Sequence, residues 1–156
     1  MQELFGHYDI FTLPNSKVDE NIVCVTTNGI IKKDGNAVMG AGIAKTADTR
    51  FQLAAKLADH LRKNGNTVAD LGAYQYKTSQ FHIASFPTKN HWRDNSIPEL
   101  IRQSAIQLVA LANKNNFKHI FLTPPGCGCG GLNYTTDVKP ILEPILDDRF
   151  TIVFRK

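Results

Sequence analysis

The sequence predicts a single α/β domain in which a mostly parallel or mixed sheet is covered by helices on both faces. Three observations carry this. Short apolar runs alternate along the chain with segments of helical spacing. The runs have no polar face, as strands buried on both sides require. The 156 residues hold one ordinary core but not two. No internal repeat, low-complexity tract or linker interrupts the alternation.

In chain order, a first strand ends near Asp9, and residues 22–25 (IVCV) form a continuous apolar strand. Residues 49–63 carry Phe51, Leu53, Ala54, Leu57, Ala58 and Leu61 at helical spacing, and Gly65 follows as a stop, so an amphipathic helix is expected there. Residues 81–86 read as a strand. At Ser96-Ile97-Pro98-Glu99, a hydroxyl, an early proline and a glutamate three residues on predict a capping box, with Ser96 as the cap. The helix it opens keeps Ile97, Leu100, Ile101, Ala105, Leu108 and Leu111 on one face. Residues 120–122 and 151–154 are further strands. The helix expected between them, over residues 137–146, tolerates Pro140 in its first turn and is shortened or kinked by Pro144.

Composition excludes several classes. Hydrophobic residues at 42% and charged residues at 21% describe a folded chain. Three cysteines, an odd number with two of them two positions apart, do not make a disulfide framework and suit a reducing, cytoplasmic compartment. No apolar run approaches the roughly 18 to 20 residues of a membrane span, and MQELFGHYDIF has no basic segment followed by an apolar one. The 18 Lys and Arg exceed the 14 Asp and Glu by four. These charges are spread, with local groups only at Lys32, Lys33 and residues 89–93, so charge alone assigns no nucleic-acid partner.

Ligands of such sheets lie beyond the carboxyl ends of the strands, and three unusual segments fall there. Residues 26–45 (TTNGIIKKDGNAVMGAGIAK) lead through Gly40-Ala41-Gly42 into a helix. Glycines let backbone approach a ligand, and a helix amino terminus offers free N–H groups to a phosphate. The loop matches neither the P-loop nor the dinucleotide fingerprint, and an ordinary turn-rich loop is the alternative. Residues 123–134 (TPPGCGCGGLNY) hold Gly126, Gly128, Gly130 and Gly131, and backbone N–H groups from Gly128 to Leu132 fit an anion-binding concavity. Cys127 and Cys129 form C-x-C, the spacing of neither a closed zinc site nor a dithiol exchange motif, so no metal is expected. Cys24 reads as a small buried hydrophobe. Residues 86–93 (FPTKNHWR) place Lys89, His91, Trp92 and Arg93 together, an acid, an imidazole, a stacking ring and a phosphate fork. The alternative is Trp92 anchoring the loop in the core beneath solvated charges.

Other candidates are isolated. Asp9 either accepts a hydrogen bond from a base amino group or ends the first strand. His7, His60, His82 and His119 have no ligand spacing. No Ser-His-Asp set or carboxylate pair assembles from the sequence.

Asp9-Ile10, Asn28, the VMGAGIA segment, FPTK with His91-Trp92-Arg93, and GCG followed by Gly130-Gly131-Leu132 together resemble the macrodomains over nearly the whole chain. Within that superfamily the FPTK-x-HWR and GCG-x-GGL pair looks like the DarG-type antitoxin macrodomains, which remove ADP-ribose from DNA bases. The resemblance implies one macrodomain over residues 1–156, a three-layer α/β/α fold with a central mixed sheet, and ADP-ribose lying across the strand ends. It implies that Asp9 and the Ile10 backbone take the adenine, and that Asn28 takes the distal ribose. Gly40, Ala41, Gly42 and Ile43 would hold the pyrophosphate from one side. Gly126, Cys127, Gly128, Cys129, Gly130, Gly131 and Leu132 would close the other side, with Thr88 beside them. Lys89 matches the lysine on which catalysis depends, and His91, Trp92 and Arg93 are candidate substrate contacts.

The implied enzyme is an ADP-ribosyl glycohydrolase acting on a modified DNA base, thymine by that resemblance. It is expected to be monomeric and cytoplasmic, without cofactor, metal or membrane contact. A cognate ADP-ribosyltransferase toxin is the partner such antitoxins imply. A second reading is a module that binds ADP-ribose without turnover. A third keeps the enzyme and changes the linkage to protein-linked ADP-ribose, O-acetyl-ADP-ribose or ADP-ribose 1''-phosphate. Lysine serves either as general acid or as amine nucleophile. Two departures stand out. Terminal ADP-ribose glycohydrolases carry an aspartate after GCG where this chain has Gly130, and the stretch 29–37 is long for the family. DarG also carries a carboxyl-terminal toxin-binding domain, for which 156 residues are expected to leave no room.

Overall fold

The computed structural model describes residues 1–155. Six strands form one mixed sheet: β1 (Gln2–Gly6), β2 (Asn21–Thr27), β3 (Ala69–Tyr76), β4 (Ser79–Pro87), β5 (His119–Leu122) and β6 (Phe150–Arg155). Their spatial order is β1-β6-β5-β2-β4-β3. All neighbours run parallel except β3 and β4, which form an antiparallel pair. The carboxyl ends of β1, β2, β4 and β5 therefore lie on one edge of the sheet.

Continuous apolar runs arise because both faces are covered. On β2, Val23 and Val25 face a core shared with Phe11, Leu53, Leu57, Phe81 and Ile83, while Ile22 and Cys24 face a second core with Ile101, Leu108, Ile120 and Phe150. The first face carries α1 (Gly42–Phe51) and α2 (Ala54–Asn64), and the second carries α3 (Pro98–Asn115) and α4 (Lys139–Leu142). The strands expected at 22–25, 81–86, 120–122 and 151–154 are β2, β4, β5 and β6. Strand β3 had no continuous apolar signature, because it is the half-exposed edge strand.

Three expectations change. The helix expected over 49–63 is two helices, since Gln52 is left-handed (φ 57°) and Asp48 Oδ1 accepts hydrogen bonds from Leu53 N and Ala54 N, both at 2.9 Å. Asp48 thus starts α2 by satisfying amide groups that have no helical partner; Gly65 ends it as expected. The capping box does not form. Ile97 is the cap residue of α3, with Pro98 in its first turn, and Glu99 turns to Arg102 (3.1 Å) instead of back to Ser96. Ile97 itself stays exposed. The helix expected over 137–146 is a π-helical turn (Tyr134–Val138) running into α4, which stops before Pro144.

Asp48→Ala is expected to lower unfolding free energy by about 1 kcal/mol, the usual worth of a side-chain cap, read as an earlier urea midpoint at unchanged slope.

Candidate active site

Four connections meet at the carboxyl edge. After β1, Asp9 caps a 3-10 turn (Ile10–Thr12), its Oδ1 accepting from Phe11 N at 3.1 Å. Its Oδ2 pairs with Arg50 Nη1 at 2.7 Å, and the same guanidinium covers Tyr76, 4.2 Å from the ring centroid. Asp9 is thus locally anchored, and Ile10 behind it is buried. Arg50 gave no sign of this role in the sequence, because only the fold brings the end of α1 to the end of β1.

After β2, Asn28 clamps its own loop, accepting from Ile30 N (3.0 Å) and donating to Val38 O (3.3 Å). The stretch 29–37 is a small hairpin, with Ile31 bridged to Ala37 and Lys32 N donating to Asn36 O at 2.8 Å. The Asn36 backbone N–H, with Lys32 adding to it, holds the Asp34 carboxyl below its usual range. Arg62 of α2 donates to Gly35 O at 2.7 Å and pins the hairpin tip. The added length therefore folds against α2.

The glycines separate into two kinds. A Cβ at Gly126 would crowd Ser96 Cβ (2.9 Å), Ile101 and Leu132. At Gly130 a Cβ would overlap Ser96 Oγ and lie 2.5 Å from Gly126 O. No side chain of any kind fits at 130 without moving backbone. Gly40 and Gly128 instead face open space, with nothing within 4 Å and no left-handed φ. Neither packing nor conformation asks for glycine there, whereas close approach of a ligand to the backbone does. Gly42 (φ 56°) opens α1 after Ala41, both exposed, with Ile43 half-buried behind them.

Lys89 follows β4. Its Nζ donates to three backbone carbonyls, Trp92 (3.3 Å), Asp94 (3.2 Å) and Cys129 (3.4 Å). Three acceptors match the three N–H donors of an ammonium, and they tie residues 92–94 to the Gly126–Leu132 loop. Thr88 is buried, its N–H donating to Thr27 O (3.1 Å) and its C=O accepting from Ile97 N (2.8 Å). Trp92 does not anchor the core. It is 46% exposed, stacked on His91 (5.4 Å between centroids), with the Arg93 guanidinium 4.8 Å from its ring. His91 Nδ1 in turn accepts from Arg93 N (3.1 Å).

Cys127 is half-buried, its Sγ donating to Pro125 O (3.5 Å), and burial pushes its thiol up to about 11. Cys129 is exposed and contributes its carbonyl to Lys89, while Cys24 is buried in the second core, where desolvation raises its thiol. The other histidines lie elsewhere: His82 sits near the amino ends of β2 and β4, between Asp70 (3.0 Å) and Asp19 (3.1 Å). Two polar residues underlie the site, Ser96, which the sequence offered only as a helix cap, beneath Gly130, and Asn66, which it did not single out, beside Gly29.

The Macro domain family profile matches residues 26–140, a span holding both glycine loops and Lys89. The chain belongs to the Macro domain family. This macrodomain is 31% identical over 102 residues to proteins named DNA ADP-ribosyl glycohydrolase from Mycobacterium tuberculosis and Mycobacterium bovis, covering 62% of this chain and 28% of each relative. The aligned part is thus under a third of their length. The macrodomain of Mycobacterium tuberculosis DarG superposes with a TM-score of 0.70 at 26% identity, covering 97% of this chain and 96% of that one. The Thermus aquaticus DarG macrodomain gives 0.72 at 24% identity, covering 99% of both chains. Thermosipho africanus DarTG, solved in complex with ADP-ribose, gives 0.69 at 22% over 95% of this chain and 40% of that one. The three-layer fold around a mixed sheet and the kinship to DarG stand as expected. Among the described residues no helix is long and apolar enough to cross a membrane.

The two kinds of glycine predict opposite stabilities. Gly126→Ala and Gly130→Ala are expected to cost about 1–3 kcal/mol by overpacking; Gly40→Ala and Gly128→Ala should stay within about 0.5 kcal/mol of wild type, all read by chemical denaturation.

Proposed function

We propose that this macrodomain hydrolyses the bond between ADP-ribose and a DNA base, thymine being the base its DarG likeness suggests, with Lys89 as the catalytic residue. The observation that carries the reading is the position of Lys89 Nζ. It is held at the carboxyl edge of the sheet, bonded to the Gly126–Leu132 loop on one side and to residues 92–94 on the other. The relatives named as DNA ADP-ribosyl glycohydrolases support the reaction class.

In this reading the exposed faces of Gly40 and Gly128 receive the pyrophosphate, with N–H groups at the start of α1 favouring its negative charge. Asp9 and the Ile10 backbone take the adenine, and the Asn28 loop takes the distal ribose. Cleavage passes through a cation-like state at the anomeric carbon. The Lys89 ammonium gives a proton to the departing base as the glycosidic bond breaks. Water adds to the anomeric carbon and releases a proton, which restores the ammonium. The three carbonyl acceptors support the acid role over amine attack. So does Gly130, since the crowding there leaves no place for the carboxylate that resolves a covalent intermediate in the terminal ADP-ribose glycohydrolases. Trp92 and Arg93, exposed beside this lysine, suit a nucleobase and a phosphate. A cytoplasmic, monomeric protein paired with an ADP-ribosyltransferase toxin completes the proposal.

One observation favours a second reading, a binder without turnover: every Lys89 donor is already spent on the protein itself. Release of ADP-ribose from a modified oligonucleotide separates the two. Lys89→Ala should slow release at least about 100-fold, the scale of a lost general acid. Micromolar ADP-ribose binding with no release by wild type from DNA, protein or phosphorylated ADP-ribose selects the binder. Affinity for modified DNA should also fall with salt more steeply than affinity for ADP-ribose, by about one unit of log–log slope per phosphate contacted. Equal slopes would remove backbone contact by Arg93.

A further inference from the structure

We infer that Asn66 is a positioning residue for Lys89, an inference resting on the reading of Lys89 as the catalytic group. Asn66 lies in the turn between the end of α2 at Gly65 and β3. Its Nδ2 donates to Lys89 O and to Asn90 Oδ1, both at 3.0 Å. The same peptide segment is held from the other side, where Gly29 N donates to Asn90 O at 3.1 Å. Asn66 packs against Gly29 so closely that a Cβ there would meet its Cγ and Nδ2 at 3.2 Å. The backbone of residues 89 and 90 is thus clipped between the β2 loop and the α2–β3 turn, and the direction in which the Lys89 side chain leaves the chain is fixed.

The amide serves this clip at a cost. Its Oδ1 is buried and has no hydrogen-bond partner among the described residues, and a buried acceptor left unmade is unfavourable. An asparagine that donates twice from a single nitrogen carries that oxygen with it. Aspartate at the same position keeps the shape and loses both donors, and it sets a carboxylate against two acceptor oxygens.

Two readouts test this. The first needs no turnover: trace acylation of lysines, with Lys89 measured against exposed Lys63 in the same sample. Asn66→Asp and Asn66→Ala should raise the relative labelling of Lys89 severalfold, because its side chain loses its fixed place among the three carbonyls. Asn90→Ala, at an exposed position that does not threaten folding, should give a smaller rise. An unchanged ratio in all three variants overturns the inference. The second readout is release of ADP-ribose from a modified oligonucleotide. Asn66→Asp should lower kcat about tenfold or more, with KM and the ADP-ribose Kd within about twofold of wild type, as misplacing a reacting group requires. A kcat loss matched by weaker ADP-ribose binding means a collapsed pocket and also overturns it. If Lys89 labelling responds while Lys89→Ala still releases ADP-ribose, the positioning stands and the catalytic reading of Lys89 falls.

Discussion

The parallel pairing of β2 with β4 continues past the ends of both strands, and the carboxyl edge is organised by that continuation. Thr27 pairs with Pro87 in the ladder; beyond it Thr88 N donates to Thr27 O, and Gly29 N donates to Asn90 O. Two segments that would otherwise be independent loops are held in register as though still in the sheet. Thr88 also accepts from Ile97 N, so the start of α3 is fixed from the same residue. Lys89 sits between these bonds, and its ammonium reaches the loop after β5. Register in a buried sheet is strongly specified, so the lysine inherits a precision that loop sequence alone does not provide.

The second core supports the opposite wall. Ile101 and Leu132 close around Gly126, and Ser96 N donates to Gly130 O at 2.9 Å. The loop after β5 therefore rests on the entry to α3 as a packed surface. Not every N–H expected in the concavity is free, since Leu132 N donates to Gly126 O at 3.0 Å and closes the loop on itself. The modest positive excess of the chain also gains a place, since Lys89 and Arg93 sit together at this edge, while Lys32 and Arg62 are engaged in the hairpin and its attachment to α2.

Much of this was legible in the sequence, for physical reasons. Strands buried on both faces write themselves as unbroken apolar runs, and glycines concentrated after such runs mark the carboxyl edge of the sheet. Strand β3 was not legible, because an edge strand with one exposed face and a bulge between Asp70 and Ala73 has neither an apolar run nor a clean alternation. The division between α1 and α2 depends on one carboxylate reaching back to two amides, and helical spacing passes through it unaltered. Ser96 looked like a cap because its neighbours fit the pattern, but tertiary packing beneath Gly130 claimed it. Asn66 follows the helix-stopping Gly65, and nothing in its neighbours singles it out. Its partners are 23 and 24 positions away, where no local signal reaches.

The closed space at Gly130 has an evolutionary side. A carboxylate at that position would add a charged group to this edge of the sheet, yet no single substitution opens the way here. Removing the Ser96 hydroxyl clears one obstacle and leaves the Gly126 backbone, 2.5 Å from where the new Cβ would stand. The chain segment itself has to be rerouted before the side chain can arrive. Two macrodomains that share a fold can thus be separated by a barrier of backbone geometry, which point mutation does not cross and a loop exchange can.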